Sequence, residues 1–544
     1  MKTRCRGTAR LVRLTAFALI CAAVMAAAPA ITTVYNGASW VPPGLPNSGI
    51  AQGSIFTLIG TGLGPSTLQE VQNYPLPTTQ GLAGTTIQVK VGGVTENCIM
   101  IYTFATAVAA ILPSATPIGA GTLTLSYQGG TSSIAIQVLA ANFGTFTLNE
   151  GGTGPGVVTD ANYNVITMIN PAHPGQPLIL WGTGLGAVTG DETVPSTEGE
   201  LNTGVQVFVE NQPATVFYDG TSSSPGLNQI NFYVPSGISG GCKTSIAVLV
   251  KGVTGNVTTI SVAPAGQTTC GDAHGSLTAA NLQKAIANGS LNMGGVELSR
   301  VSGGNDTLIG YFGNYPLNSL IRSYGGSFGP SIGSCLAYEV GGTSLETALV
   351  DPILPTYLDA GPDLVLTGPG GTKTIPATSV GYFGAYVAIE PSVYIEPGSY
   401  SVANGSGGAN VGPFSSGLTL PADIVPTNIP ASISRAQNLT LNWTGGSGFS
   451  VATIFVFNGL LVKPPLSSYA YILCNADPSS GTFTVPSAIL NLLPTNGYGT
   501  TTKPGVNISI AGIPEATFSV AGSPGIDAAI FSVFISTGSV ATIQ

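Results

Sequence analysis

Charged side chains are scarce in this sequence. They make up 7% of its 544 residues, where an ordinary soluble chain carries roughly a quarter. Coiled coils, helical solenoids and charged disordered tails all need many Glu and Lys, so this composition excludes them. Basic residues are scarcer still, 15 against 24 acidic for a formal net charge of −9. Neutralising nucleic-acid phosphates takes clustered Lys and Arg, so no nucleic-acid partner is expected. Histidine occurs only at His173 and His274, which leaves few general bases. Beyond residue 30 no apolar run makes a convincing membrane span, so the chain is not expected to cross a bilayer. What is abundant points one way. The chain has 75 Gly and 39 Pro, and 43% of it is hydrophobic. That mixture describes an all-β protein of buried apolar strands and frequent turns, solvated through Ser, Thr and Asn.

The few basic residues are unevenly placed. Lys2, Arg4, Arg6, Arg10 and Arg13 precede an apolar stretch over 14–27, and Ala28-Pro29-Ala30 offers a small-x-small cleavage site. This is the pattern of a secretory signal, with residues 1–30 removed near Ala30. A lipid-modified N-terminus at Cys21 fits less well, because Ile20 stands where a small residue is expected. The mature chain would keep 10 basic and 24 acidic residues, net −14, and would be secreted or held at the cell surface. Leu493-Pro494-Thr495-Asn496-Gly497 resembles a wall-sorting pentapeptide but lacks the hydrophobic segment and basic tail of one.

Export changes what the cysteines mean. Outside the cytoplasm disulfides are the default, and five cysteines lie beyond residue 30: Cys98, Cys242, Cys270, Cys335 and Cys474. Cys242 opens the apolar run 244–250, and Cys270 follows the run 257–262, with a turn over 251–256 between them. A hairpin there brings both sulfurs to one end. The expected Cys242–Cys270 bridge would contribute about 3–4 kcal/mol for a loop of roughly 28 residues. Cys335 with Cys474 is the next pairing, which leaves Cys98 as a buried small hydrophobe.

A repeat organises the first half. The segment GSIFTLIGTGLG at 53–64 recurs as GQPLILWGTGLG at 175–186. IQVKVGG at 87–93 is answered by VQVFVEN at 205–211, and ILPS at 111–114 by YVPS at 233–236. Each copy closes on two strand-like runs, 122–127 with 134–139 and 245–250 with 257–262. Period-2 segments separated by Gly and Pro turns indicate a small antiparallel sandwich. A spacing near 120 residues is one domain, so two tandem modules are expected at 31–141 and 142–266.

These residues carry a resemblance. A strand running into Gly-Thr-Gly-Leu-Gly, then a Val-Gly-Gly turn, a Pro-led turn and a closing hairpin resembles the IPT/TIG immunoglobulin-like module. Asn36-Gly-Ala-Ser-Trp40, Ile169 to Gly175, Trp181 to Gly186 and Gly226-Leu-Asn-Gln-Ile-Asn231 together resemble a family of secreted acidobacterial proteins carrying tandem copies of this unit. The resemblance covers about 31–266. It implies immunoglobulin-like sandwiches and brings no catalytic residue with it.

The second half opens differently. Ser276 is placed to cap a helix over 277–288, with Ala279, Leu282 and Ile286 on one face and Gly289 closing it. It is the one helix expected beyond residue 30. Strand-like runs follow at 295–301, 364–367, 386–389 and 399–402. Glu396-Pro-Gly-Ser-Tyr400 reads as a strand entry whose Tyr hydroxyl ties a nearby corner. A linker near 421–430 would divide a β-rich domain, 267–425, from a C-terminal sandwich-like module, 426–544.

Candidate chemistry is thin. Gly-x-Ser-x-Gly occurs around Ser327 and around Ser331, but a hydrolase elbow needs a strand before the Ser and a helix after it. A glycine-rich loop is the expectation. Cys270, Asp272 and His274 would offer three metal ligands, yet structural zinc takes four and a disulfide would consume Cys270. Asp160-Ala-Asn162-Tyr-Asn164 imitates half a calcium loop but has Val165 for Gly and Pro171 for Glu, so a polar turn is expected. Asp191, Glu192, Glu198 and Glu200 read as a solvated acidic loop. Tyr382, Phe383, Tyr386, Tyr394 and Tyr400 would either pack a core or stack on sugars. No catalytic residue, metal or cofactor is assigned.

The expected function is that of an exported, non-enzymatic, multi-module β-sandwich protein. It would present surfaces for adhesion, matrix or cell-surface interaction to an extracellular protein or glycan. The other class is an extracellular polysaccharide-binding or polysaccharide-degrading protein with its site in 270–544. That reading gains if the Tyr382–Tyr400 rings line an open groove and loses if they are buried.

Overall fold

Alternation of apolar and polar residues sets the first module. In Thr85–Val91 the side chains of Ile87, Val89 and Val91 are buried while Gln88 and Lys90 are exposed, the period-2 pattern of a half-buried strand. The computed structural model describes residues 28–196, 199–300, 305–323, 329–341, 355–377, 386–390, 394–460, 468–498, 503–522 and 525–544. Two five-stranded sheets form the first module. One runs in the order Ala30–Asn36, Ile55–Thr61, Ala107–Ile111, Ile99–Thr103, Gln69–Glu70. The other runs Ile50–Ala51, Gly130–Leu139, Gly119–Tyr127, Thr85–Val91, Val94–Asn97. Phe56, Leu58, Met100, Val108, Leu123 and Leu125 fill the space between.

The second module repeats this order with one fusion. The first copy breaks at the free, buried Cys98 between Val94–Asn97 and Ile99–Thr103. In the second copy Gln212–Thr221 is one continuous strand, pairing with Gln206–Val209 at its start and Asn228–Tyr233 at its end. The two sheets are therefore joined along its length. Equivalent turns confirm the repeat at the backbone. Val91 pairs with Val94 across Gly92-Gly93 (φ 55° and 88°), and Val209 with Gln212 across Glu210-Asn211 (φ 50° and 62°). Two positive φ values make the hairpin turn that matches strand twist. Glu210 tolerates this position because its carboxylate accepts the Ser239 and Gly240 N–H groups at 3.0 and 2.9 Å.

The repeated Gly-Thr-Gly-Leu-Gly serves two purposes. Gly62 and its counterpart Gly184 have positive φ, as a turn after a core strand requires. Gly60 and Gly182 are instead sites of close approach. A Cβ there would lie 2.1 Å from the Ala30 carbonyl and 2.2 Å from the Gly144 carbonyl.

One eleven-stranded sheet dominates the second half. Its main path is Cys335–Gly341, Ser468–Ala476, Val451–Leu460, Val506–Ile513, Ile526–Ile543, Ser290–Arg300, Asp306–Pro316, Thr356–Tyr357. The expected boundary at 425/426 is crossed by this sheet. Ile526–Ile543 lies parallel to Ser290–Arg300, and Cys335–Gly341 antiparallel to Ser468–Ala476. A four-stranded sheet with Asp363–Gly368 and Gly398–Ala403 at its centre closes one core, around Phe312, Leu364, Tyr400 and Phe531. A three-stranded sheet centred on Leu439–Thr444 closes another, around Leu441, Trp443, Ile454 and Ile510. The protein is thus all-β, built of β-sandwich modules in tandem.

Among the described residues three short α-helices accompany the sheets. Helix α1, Ala279–Asn288, is capped by Thr278, whose hydroxyl accepts the Asn281 N–H at 3.3 Å, and ends at left-handed Gly289. The cap is therefore not Ser276. Its buried face is Leu282 with Ala285, while Ile286 is 41% exposed. Helices α2, Leu317–Ser323, and α3, Ser487–Leu490, are additions to the expected single helix. Seven and four residues are too few to show a 3.6-residue period.

Two disulfides cross-link the described residues, Cys242–Cys270 and Cys335–Cys474, with Cα separations of 4.9 and 4.0 Å. The corner residue Tyr400 is also in place. Its hydroxyl donates to the Glu396 carbonyl at 2.7 Å and accepts the Glu396 N–H at 2.8 Å. Tyr400→Phe strands both backbone groups without changing ring packing. A loss of about 1–3 kcal/mol in denaturant unfolding is expected; an unchanged midpoint would show the corner to be idle.

Candidate functional site

Ser331 is the one candidate nucleophile within the described residues, since Ser327 lies outside them. It is 3% exposed and sits in a segment laid along the strand Gly241–Val250. Its Oγ donates to Asp272 Oδ1 at 2.6 Å and accepts the Lys243 N–H at 3.1 Å. Ser334 Oγ accepts the Ser245 N–H at 3.1 Å, and Asn475 donates to the Pro330 carbonyl at 2.7 Å. The hydroxyl is thus committed to a carboxylate and a backbone amide, with no histidine bonded to it. His173 is exposed, and His274 Nδ1 lies 3.9 Å from Glu515 Oε1. The arrangement is a buried polar clasp between the second module and the second half.

The remaining candidates resolve similarly. The sulfur of Cys270 is in a disulfide, so the set Cys270, Asp272, His274 offers no thiolate. No group of three or more His, Cys, Asp or Glu suited to a metal occurs among the described residues. Asp160 Oδ1 accepts the N–H groups of Asn162 and Asn164 at 2.8 and 2.9 Å, an Asx-type turn. Those hydrogen bonds, Asn164 foremost, hold its carboxyl below the ordinary range. Tyr394 and Tyr400 are buried, and the Tyr394 hydroxyl donates to the Gly371 carbonyl at 2.9 Å. Tyr382, Phe383 and the ring of Tyr386 lie outside the described residues. Leu492 and Leu493 are core residues, so Leu493-Pro494 is not displayed as a sorting signal would be.

The acidic loop departs from its expected solvated state at Glu192. This carboxylate accepts the Ser114 hydroxyl at 2.7 Å and the Ser114 N–H at 2.9 Å, bolting the second module to the first. Burial raises its pKa. Asp191 accepts the N–H and hydroxyl of Thr193 beside it, and Glu200 is exposed. Glu198 lies outside the described residues. Thr183 adds to the same junction, accepting the Ile55 N–H at 2.9 Å and donating to the Gly226 carbonyl at 2.6 Å.

The first module also reaches the second half. Asn47 donates to Glu339 Oε2 at 3.2 Å, and Ser468 Oγ to the Pro43 carbonyl at 3.1 Å. Burial pushes the Glu339 carboxyl up to about 8, with the Asn47 bond opposing it. A carboxyl raised on folding gives stability that is full below its unfolded pKa and falls as pH rises towards 8. Glu339→Gln keeps the acceptor and removes the charge. It is expected to stabilise the protein by about 1–3 kcal/mol at pH 8 and to leave it unchanged at pH 4, a range discounted for partial exposure. Thermal melts at both pH values check this.

Sequence reasoning overlooked one surface. On the outer side of the second module, Thr215 pairs with Tyr233, and Phe217 follows on the same exposed face at a bulge between Val216 and Tyr218. The Phe217 and Tyr233 rings lie 4.8 Å apart and are 46% and 44% exposed. Across the same sheet Tyr163, 62% exposed, lies 6.2 Å from the Trp181 ring. Ile179, opposite Asn231, separates the two pairs. The outward half of each strand's alternation was the available signal.

Comparison with protein-family models and with curated proteins finds no match. Solved structures do align. The S-layer protein rSbsC(31-844) matches at 12% identity over 93% of this chain and 54% of its own length, with a TM-score of 0.17. This chain therefore spans about half of that protein. Sidekick-1 immunoglobulin domains 1-4 match at 10% identity over 95% and 99%, TM-score 0.12. SGBP-B from a complex xyloglucan utilization locus in Bacteroides uniformis matches at 11% over 83% and 87%, TM-score 0.15.

Proposed function

We propose that this is an exported, non-enzymatic protein whose immunoglobulin-like modules, of the IPT/TIG kind at 31–141 and 142–266, present a surface for adhesion or for matrix or cell-surface interaction. The aromatic face of Tyr163, Trp181, Phe217 and Tyr233 carries this reading. Aromatic rings buried on contact dominate recognition surfaces, and here Tyr163, Phe217 and Tyr233 stand open, with Trp181 half-buried beside Tyr163. The two disulfides fit an oxidising compartment, in line with a signal at 1–30. No described helix is long and apolar enough to cross a membrane.

A glycan is the second reading of the same face. The exposed rings of Phe217 and Tyr233 suit sugar stacking, whereas Tyr394 and Tyr400 are buried. The test is to probe immobilised full-length protein with a glycan array and with extracellular proteins. Retention of a partner without turnover is expected. Failure to retain any would leave a passive spacer, and release of product would indicate an enzyme.

A further inference from the structure

Lys243 is nearly enclosed. Its Nζ lies 3.9 Å from Asp272 Oδ2, with the two side chains 7% and 2% exposed. The two oxygens of Asp272 are treated differently. Oδ1 accepts the Ser331 hydroxyl at 2.6 Å and the Cys242 N–H at 3.1 Å. Oδ2 accepts no hydrogen bond among the described residues. Burial lowers the pKa of Lys243, which favours the neutral amine. The Cys242–Cys270 disulfide adjoins both residues and fixes their backbones, which raises the effective concentration of one group at the other.

We propose that Lys243 and Asp272 join in an intramolecular amide bond. The pair begins as ammonium and carboxylate. One proton passes from Nζ to Oδ2 across the pair, leaving a neutral amine and a neutral carboxyl. Nζ attacks Cγ, and the carbonyl electron pair moves onto Oδ1. There the Ser331 O–H and Cys242 N–H form an oxyanion hole already in position. A second proton follows from nitrogen to Oδ2, the Cγ–Oδ2 bond breaks, and Oδ2 departs as water. One ammonium and one carboxylate become one secondary amide and one water. No oxidant or metal takes part. The bond would hold the strand Gly241–Val250 to the chain leading into α1 even where disulfides are reduced.

Peptide mapping by mass spectrometry tests this on the full-length protein after reduction and alkylation. The expected result is a branched peptide joining positions 243 and 272, lighter by one water than its two linear parts. The branch should be lost in Lys243→Ala, and in Ser331→Ala it should form at least tenfold more slowly. Recovery of both residues only in linear peptides from the unaltered protein would overturn the proposal and leave an ion pair. A branch formed at the unaltered rate in Ser331→Ala would overturn the role given to Ser331.

Discussion

Replacing Cys335 and Cys474 together by Ala is expected to lower unfolding stability by about 5 kcal/mol. The bridge closes a loop of 139 residues, and in the chain-entropy description that closure removes about 5 kcal/mol worth of freedom from the unfolded chain. Both sulfurs are buried in the core around Ile454, Ala470 and Ile472, so the small cavities left by Ala add to the loss. The same treatment of Cys242 and Cys270, which close 28 residues, is expected to cost about 3–4 kcal/mol. Denaturant unfolding of the two double variants gives the comparison. A smaller loss at the longer loop would show that loop entropy does not set the order.

Asp306→Ala should cost about 3–5 kcal/mol, the range for removing one partner of a buried ion pair. This carboxylate is 3% exposed at its side chain and pairs with both Nε and Nη2 of Arg300. It also accepts the N–H groups of Tyr394 and Ile395 at 2.6 and 2.8 Å, so it ties a sheet strand to the connection that enters Gly398–Ala403. Burial alone would raise its pKa. The hydrogen bonds from Arg300, Ile395 and Tyr394 outweigh burial and hold the carboxyl below its ordinary value. A carboxyl lowered on folding contributes stability above its unfolded pKa, and that contribution is lost as pH falls through the folded one. The variant should therefore lie furthest below the unaltered protein near pH 7 and approach it in strong acid. Melting curves at several pH values would show the gap closing, and a gap independent of pH would assign the loss to packing.

Much of the local structure was legible. The GTGLG repeat, the paired hairpin turns and the Tyr400 corner all rest on residues a few positions apart, where turn chemistry and alternation speak directly. Proximity along the chain also pointed to Cys242 with Cys270. Long-range parallel pairing carried no such signal. Nothing in 526–543 announces that it will lie beside 290–300, and so a boundary was expected where one sheet continues. Residue type misled at Glu192, because an acidic residue in a Gly- and Thr-rich loop reads as solvated until its partner Ser114, 78 residues away, is known. The open aromatic face was missed for a related reason. Phe217 and Tyr233 meet only through strand register and a bulge.

Recognition is placed on that face, and affinity before and after removing it is the direct measurement. Tyr163→Ala, Phe217→Ala and Tyr233→Ala combined remove three exposed rings and leave the core intact. At about 1 kcal/mol for each ring contact, binding of the retained partner should weaken at least tenfold with an unchanged melting temperature. Equal affinity in the folded triple variant would contradict the account and place recognition elsewhere on the chain.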